Sequence, residues 1–112
     1  MKVCIAGSRT IEDFGAVDKA VRESGFAITE VVSGGALGVD RLGEIWAKSN
    51  GIPIKQFLPD WNIGKQAGMI RNAKMAEYAD ALIAVWDGES RGTLNCIGEF
   101  RSWNKPVFIG RS

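Results

Sequence analysis

A chain of 112 residues has room for one hydrophobic core and not for two. Its 46% hydrophobic and 24% charged residues are those of an ordinary globular domain, and no stretch approaches the ~18–20 apolar residues that span a bilayer. A net charge of +1 gives no global basic field for nucleic acid, a histidine count of 0 excludes Ser-His-Asp and Cys-His machinery, and two scattered cysteines cannot build an ordinary structural zinc site.

The elements follow in strict alternation. Lys2 to Ala6 reads as a short buried strand ending at Gly7-Ser8-Arg9, too short an apolar stretch for a signal peptide, so a cytoplasmic chain is expected. Phe14, Val17 and Val21 fall at helical spacing before Gly25 stops the helix. Ile28 to Val32 reads as a second strand, followed by Ser33-Gly34-Gly35-Ala36-Leu37-Gly38 and a helix carrying Leu42, Ile45, Trp46 and Ala47 to Asn50-Gly51. Ile52 to Leu58 reads as the third strand, and a helix is expected from about Gly64 to Ala79 with Ala67, Ile70, Ala73 and Ala76 packing. Ala81 to Trp86 is the most continuous apolar run and the fourth strand. A helix with Leu94, Ile97 and Phe100 on one face then leads to a last strand, Val107 to Ile109, and a frayed end at Gly110-Arg111-Ser112. Apolar strands alternating with helices imply a parallel sheet covered on both faces. The expected class is a single α/β domain over residues 1–112, a small Rossmann-like three-layer sandwich with about five parallel strands.

In such sheets ligands sit beyond the carboxyl ends of the strands, where the strand order reverses. Glycine, hydroxyl and basic residues collect on that edge: Gly7, Ser8 and Arg9, then the glycine stretch from Ser33, then Trp61 and Lys65, then Asp87 to Thr93. The opposite edge receives helix ends such as Ser24-Gly25, Asn50-Gly51 and Asn104-Lys105. A glycine stretch between strand and helix exposes N–H groups beside the positive end of the helix dipole and suits an anion. Gly34, Gly35 and Gly38 fit that role, although the same residues also serve a tight turn that needs positive φ. Their spacing is neither the dinucleotide fingerprint nor the lysine-bearing P-loop. A second such loop, Gly88 to Thr93 with Ser90 and Gly92, shifts the weight toward phosphate; Thr93 offers either a ligand hydroxyl or a helix cap.

Within the third helix Arg71, Met75 and Tyr78 share a face apart from the alanines, where Arg71 is either solvated or turned to the crevice. Arg9 closes the first strand inside it. Asp40 opens the second helix and favours its dipole; Trp61 is either a lid contact or a stacking surface. Cys4 is expected as a small buried hydrophobe, and Cys96, early in a helix, has no base to activate it. No metal cluster and no cofactor is expected.

Taken together, Gly7-Ser8-Arg9, Ser33-Gly34-Gly35-Ala36-x-Gly38-x-Asp40, Ala67-Gly68-x-x-Arg71-Asn72-x-x-Met75, Ala79-Asp80 and Trp86-Asp87-Gly88-x-Ser90-x-Gly92-Thr93 resemble the SLOG superfamily, in particular its small single-domain bacterial and phage branch. The likeness runs in order over nearly the whole chain. It implies a Rossmann-like fold that binds nucleotides or nucleotide-derived molecules at the two glycine loops, and often a homodimer or higher homo-oligomer. Related members include the Lonely Guy phosphoribohydrolases, the DNA-processing protein that binds single-stranded DNA, and domains that sense ADP-ribose signals. Arg71 matches the arginine of the Lonely Guy motif and Gly92-Thr93 its Gly-Thr. The chain departs where that motif has its catalytic glutamate, three residues after the threonine, because Cys96 stands there.

Three functions are therefore weighed. The first is binding of a nucleoside phosphate, cyclic nucleotide or ADP-ribose-type ligand, as a sensor or sequestering protein, with Arg9, Arg71 and Asn72 beside the loops. The second is N-glycosidic hydrolysis of nucleoside 5′-phosphates, with Asp87, Glu89 or Glu99 as the carboxylate. The third is single-stranded nucleic-acid binding through Arg9, Arg41, Lys65, Arg71 and Arg91 with Trp61 as stacking platform, against which the near-neutral charge argues.

Overall fold

The computed structural model describes residues 1–111. Five strands alternate with four helices: β1 (Lys2–Gly7), α1 (Phe14–Ser24), β2 (Glu30–Ser33), α2 (Val39–Ser49), β3 (Ile54–Gln56), α3 (Ala67–Tyr78), β4 (Ala81–Val85), α4 (Arg91–Ser102) and β5 (Val107–Gly110), with a 3-10 turn at Trp61–Ile63. All strand pairs are parallel and the order is β3-β2-β1-β4-β5. The chain therefore winds outward from β1 to β3 and then crosses back to place β4 on the other side of β1. Its reversal point lies between β1 and β4, which pair from Val3↔Ala81 to Gly7↔Val85.

Side chains of a strand alternate between the faces of a sheet, and this divides the core in two. Val3, Ile5, Val31, Ile83 and Val85 pack with Val17, Ala20, Val39 and Ala47 of α1 and α2. Cys4, Ala6, Val32, Leu82 and Ala84 pack with Met75, Ala76, Ile97 and Phe100 of α3 and α4. Phe100 is fully buried, which stabilises by about 2 kcal/mol. The helix ends follow local chemistry: Asp13 caps α1 by accepting from Gly15 N–H at 2.9 Å, and Gly25, at φ 71°, terminates it in the left-handed conformation.

Several boundaries and one packing face differ from expectation. The third strand is three residues long, because β3 is an edge strand that pairs only with Val31 to Ser33; Phe57 and Leu58 belong to the loop that follows. The third helix begins at Ala67, after the 3-10 turn. Its packing face is Ala67, Asn72, Met75 and Ala76, whereas Ile70 is 42% exposed and Ala73 half-buried. The rotation follows from Asn72, whose amide is drawn inward to Gly92 O and Asn95 Oδ1. Gly110 is not frayed: it is buried and pairs with Val85 at the end of β5, while Ser112 lies outside the described residues.

Candidate functional site

At the reversal point the ends of β1 and β4 are tied together. Ser8 N–H donates to Val85 O at 3.1 Å, and Ser8 Oγ accepts from Asp87 N–H at 3.0 Å. The strands approach so closely here that a Cβ on Gly7 would stand 1.9 Å from Val85 O. Above this junction opens a cleft of about 450 Å3.

One wall is the loop from β4 to α4. Asp87 Oδ1 accepts from Glu89 N–H at 2.8 Å and from Ser90 N–H at 3.0 Å, and these bonds hold its carboxyl below its ordinary value. Ser90 caps α4, its Oγ accepting from Thr93 N–H at 3.3 Å and from the Thr93 hydroxyl at 3.0 Å. The cap is thus Ser90, and the Thr93 hydroxyl is donated to it. Arg91 and Gly92 stand in the first turn, where an amide N–H has no acceptor inside the helix. A Cβ on Gly92 would meet nothing within 4 Å.

The opposite wall is built around Arg71. One terminal nitrogen donates to Gly34 O, and Nε donates to Asn72 Oδ1 at 3.0 Å. Asn72 Nδ2 in turn donates to Gly92 O at 3.3 Å. This chain of contacts carries the guanidinium from the first glycine loop to the start of α4. Beside it lies Asp40, only 5% exposed, which accepts from Ala36 N–H at 3.2 Å. Burial pushes its carboxyl from 3.8 up to about 6, against the opposing pull of the Ala36 N–H and Arg71. At the base of the cleft Cys96 is buried. The neighbouring Cys96 thiol together with burial pushes the Cys4 thiol, which donates to Met75 Sδ at 3.9 Å, well above its ordinary value, so it stays protonated.

A second cleft, about 460 Å3, adjoins the first and shares Arg9, Ala36 and Arg71 with it. Its other walls are Gly34, Gly35, Leu37, Leu58, Pro59 and Trp61.

The structure brings Gly7, Ser8, Arg9, Asp40, Arg71, Asn72, Asp87, Glu89, Ser90, Gly92 and Thr93 to the first cleft. Gly34, Gly35 and Trp61 line the second. Ser33, Gly38, Gly88 and Glu99 line neither, nor do Arg41, Lys65 and Arg91.

The first glycine loop differs from its expected role as an open phosphate cradle. Gly35 N–H donates to Ser33 Oγ at 3.1 Å, Ser33 Oγ donates to Glu44 Oε2 at 2.7 Å, and Val39 N–H at the start of α2 donates to Ser8 O at 3.3 Å. With Ala36 N–H on Asp40, these amides already have protein acceptors. Sequence reasoning also missed Leu58, absorbed into an overlong strand, and Pro59, read as part of the turn that follows it.

Comparison with known proteins supplies the family. The model of the YAcAr family, described as the YspA, cpYpsA-related SLOG family, matches residues 1–64. No curated protein matches the chain. Among solved structures the chain is similar to DNA processing protein A from Streptococcus pneumoniae, with a TM-score of 0.78 at 19% identity over 96% of this chain. It spans about half of that longer chain, 49%, so the likeness carries the Rossmann-like α/β fold. With more than half of its length matched by the family model, the chain belongs to the YspA, cpYpsA-related SLOG family.

Proposed function

We propose that this protein binds a nucleotide-type ligand with a phosphate held between Arg71 and the first turn of α4. The observation that carries this reading is the contact chain Gly34–Arg71–Asn72–Gly92, which fixes a guanidinium beside a helix N-terminus at the reversal point of the sheet. A guanidinium and uncommitted main-chain N–H groups together match a phosphate, which presents several acceptor oxygens. Membership of a SLOG family supports a nucleotide-related role. A second reading has its own support: Asp40, Asp87 and Glu89 line the same cleft, and carboxylates are what release of a base from a sugar phosphate requires.

Native mass spectrometry tests both readings, with nucleoside monophosphates, cyclic nucleotides and ADP-ribose as probes and free base monitored in the same samples. An intact ligand retained by the protein and lost at least tenfold in affinity by Arg71→Ala supports binding. Released base assigns hydrolysis. Silence across the panel, with retention of a short single-stranded DNA instead, overturns the proposal.

A further inference from the structure

Apolar side chains left on the surface are unevenly placed. Phe14, Ile45 and Leu94 stand singly on α1, α2 and α4, which is ordinary for a folded chain. Leu37, Leu58, Trp61, Ile63 and Ile70, each at least 42% exposed, instead form one belt. Leu37 and Trp61 share the second cleft with Leu58, and Leu58 shares a further hollow of about 250 Å3 with Ile63 and Ile70. The belt therefore runs from the first glycine loop, past the end of the edge strand β3, to the outer face of α3. The hollow is smaller than the roughly 300–1,000 Å3 of a small-molecule site and suits an inserted side chain instead.

Five such side chains expose of the order of several hundred Å2 of apolar surface, more than a monomer usually leaves in one patch. A standard protein interface takes about 800 Å2 from each partner, a little over half of it apolar, and the belt supplies that apolar share. Its charges decide the partner. Asp60 and Lys74 both stand in the wall of the hollow, and neither belongs to an ion pair among the described residues. A strongly acidic or basic partner would need one sign there, whereas a twofold contact needs both signs in the same patch, so that each meets its opposite across the axis. The patch also holds its own knobs, Leu58 and Ile63, beside its own hollow. We infer that this flank is the face on which two copies of the chain pair about a twofold axis, an apolar side chain of each seated in the hollow of the other and Asp60 facing Lys74 of the partner subunit. The inference does not rest on the phosphate site, because Asp60, Ile63, Ile70 and Lys74 line neither of the two clefts described above.

Sedimentation velocity of the whole chain from micromolar to submillimolar concentration decides the matter. The unmodified chain is expected to pass from monomer to dimer over that range. Ile63→Glu and Ile70→Glu, at exposed positions, should each weaken the dimer at least tenfold, because each would bury a carboxylate in the apolar belt. Ile45→Glu, on α2 at the other face of the sheet, should leave it unchanged. Lysine acetylation of the unmodified chain reads the same face without a substitution. Lys74 should react more slowly in the dimer than in the monomer, while Lys19 and Lys48, exposed on α1 and α2, react alike in both. A chain that stays monomeric at every concentration overturns the proposal, as does a dimer that survives both belt substitutions or leaves Lys74 as reactive as it is in the monomer.

Discussion

The two glycine loops look alike in sequence and differ in what occupies the space their missing side chains leave. In the first, protein atoms fill it. A Cβ on Gly34 would stand 2.3 Å from an Arg71 nitrogen and 2.8 Å from Asp40 Oδ2, one on Gly35 would stand 2.5 Å from Leu58, and one on Gly38 would stand 2.4 Å from Ser8 O. In the second, a Cβ on Gly88 or Gly92 would meet nothing within 4 Å. Glycine in the first loop therefore lets the protein close on itself, and glycine at Gly92 leaves room for something else.

The largest effect should come from filling the tightest position of the closed loop. Gly38 has φ 77° and faces the backbone carbonyls of Ser8 and Arg9, which cannot swing aside as a side-chain tip can. Gly38→Ala combines a left-handed strain with overpacking and should cost about 4 kcal/mol, a large fraction of the about 5–15 kcal/mol that holds a domain folded. Urea unfolding measures it. A loss below about 1 kcal/mol would show that the loop is looser than its contacts imply.

The closed loop is also fastened to a buried carboxylate, which gives it a pH signature. Asp40, raised from 3.8 to about 6, binds a proton in the folded chain at pH values where the unfolded chain has lost it. Stability from this group is thus complete below about pH 4 and falls by about 3 kcal/mol as pH rises to about 6. Burial and Glu44 oppose its ionised form, while the Ala36 N–H and Arg71 favour it. Asp87, held below 3.8 by the Glu89 and Ser90 N–H groups, acts in the opposite sense, and its window lies mostly below pH 4. Asp40→Asn should flatten unfolding free energy between pH 4 and 6. A slope that survives the substitution would assign it to another group.

The same contrast explains what the sequence made legible. The apolar runs of β1 and β4 and the helical spacing of α1, α2 and α4 specify local structure, and alternation of strand and helix then leaves little choice but a parallel sheet. The edge that carries the site follows from that. What the residues around Gly34 do is not local: Arg71 reaches it across 37 positions, and its guanidinium consumes the space that composition alone assigns to phosphate. Helix α3 shows the same limit. Alanine spacing suggests one packing face, but the buried hydrogen bonds of Asn72 to Gly92 and Asn95 select another. The short β3 depends on how many carbonyls β2 offers, which no periodicity within Ile52 to Leu58 records.

The smallest effect on the fold should accompany a large effect on binding, and that pairing is what separates the loops most sharply. Gly92 lies in the first turn of α4, has no positive φ and has open space where a Cβ would project. Gly92→Ala should therefore leave the fold intact and stabilise it by about 0.5 kcal/mol, since alanine loses less conformational freedom on entering a helix. The methyl group would nevertheless stand in the cleft that Gly92 lines, beside the N–H groups of the first turn, and should weaken a bound phosphate at least tenfold. Thermal unfolding and ligand titration of the one variant read the two effects separately. A raised midpoint with lost binding marks Gly92 as kept for the ligand; unchanged binding would return the second loop to the status of the first, a turn whose glycines serve only the chain.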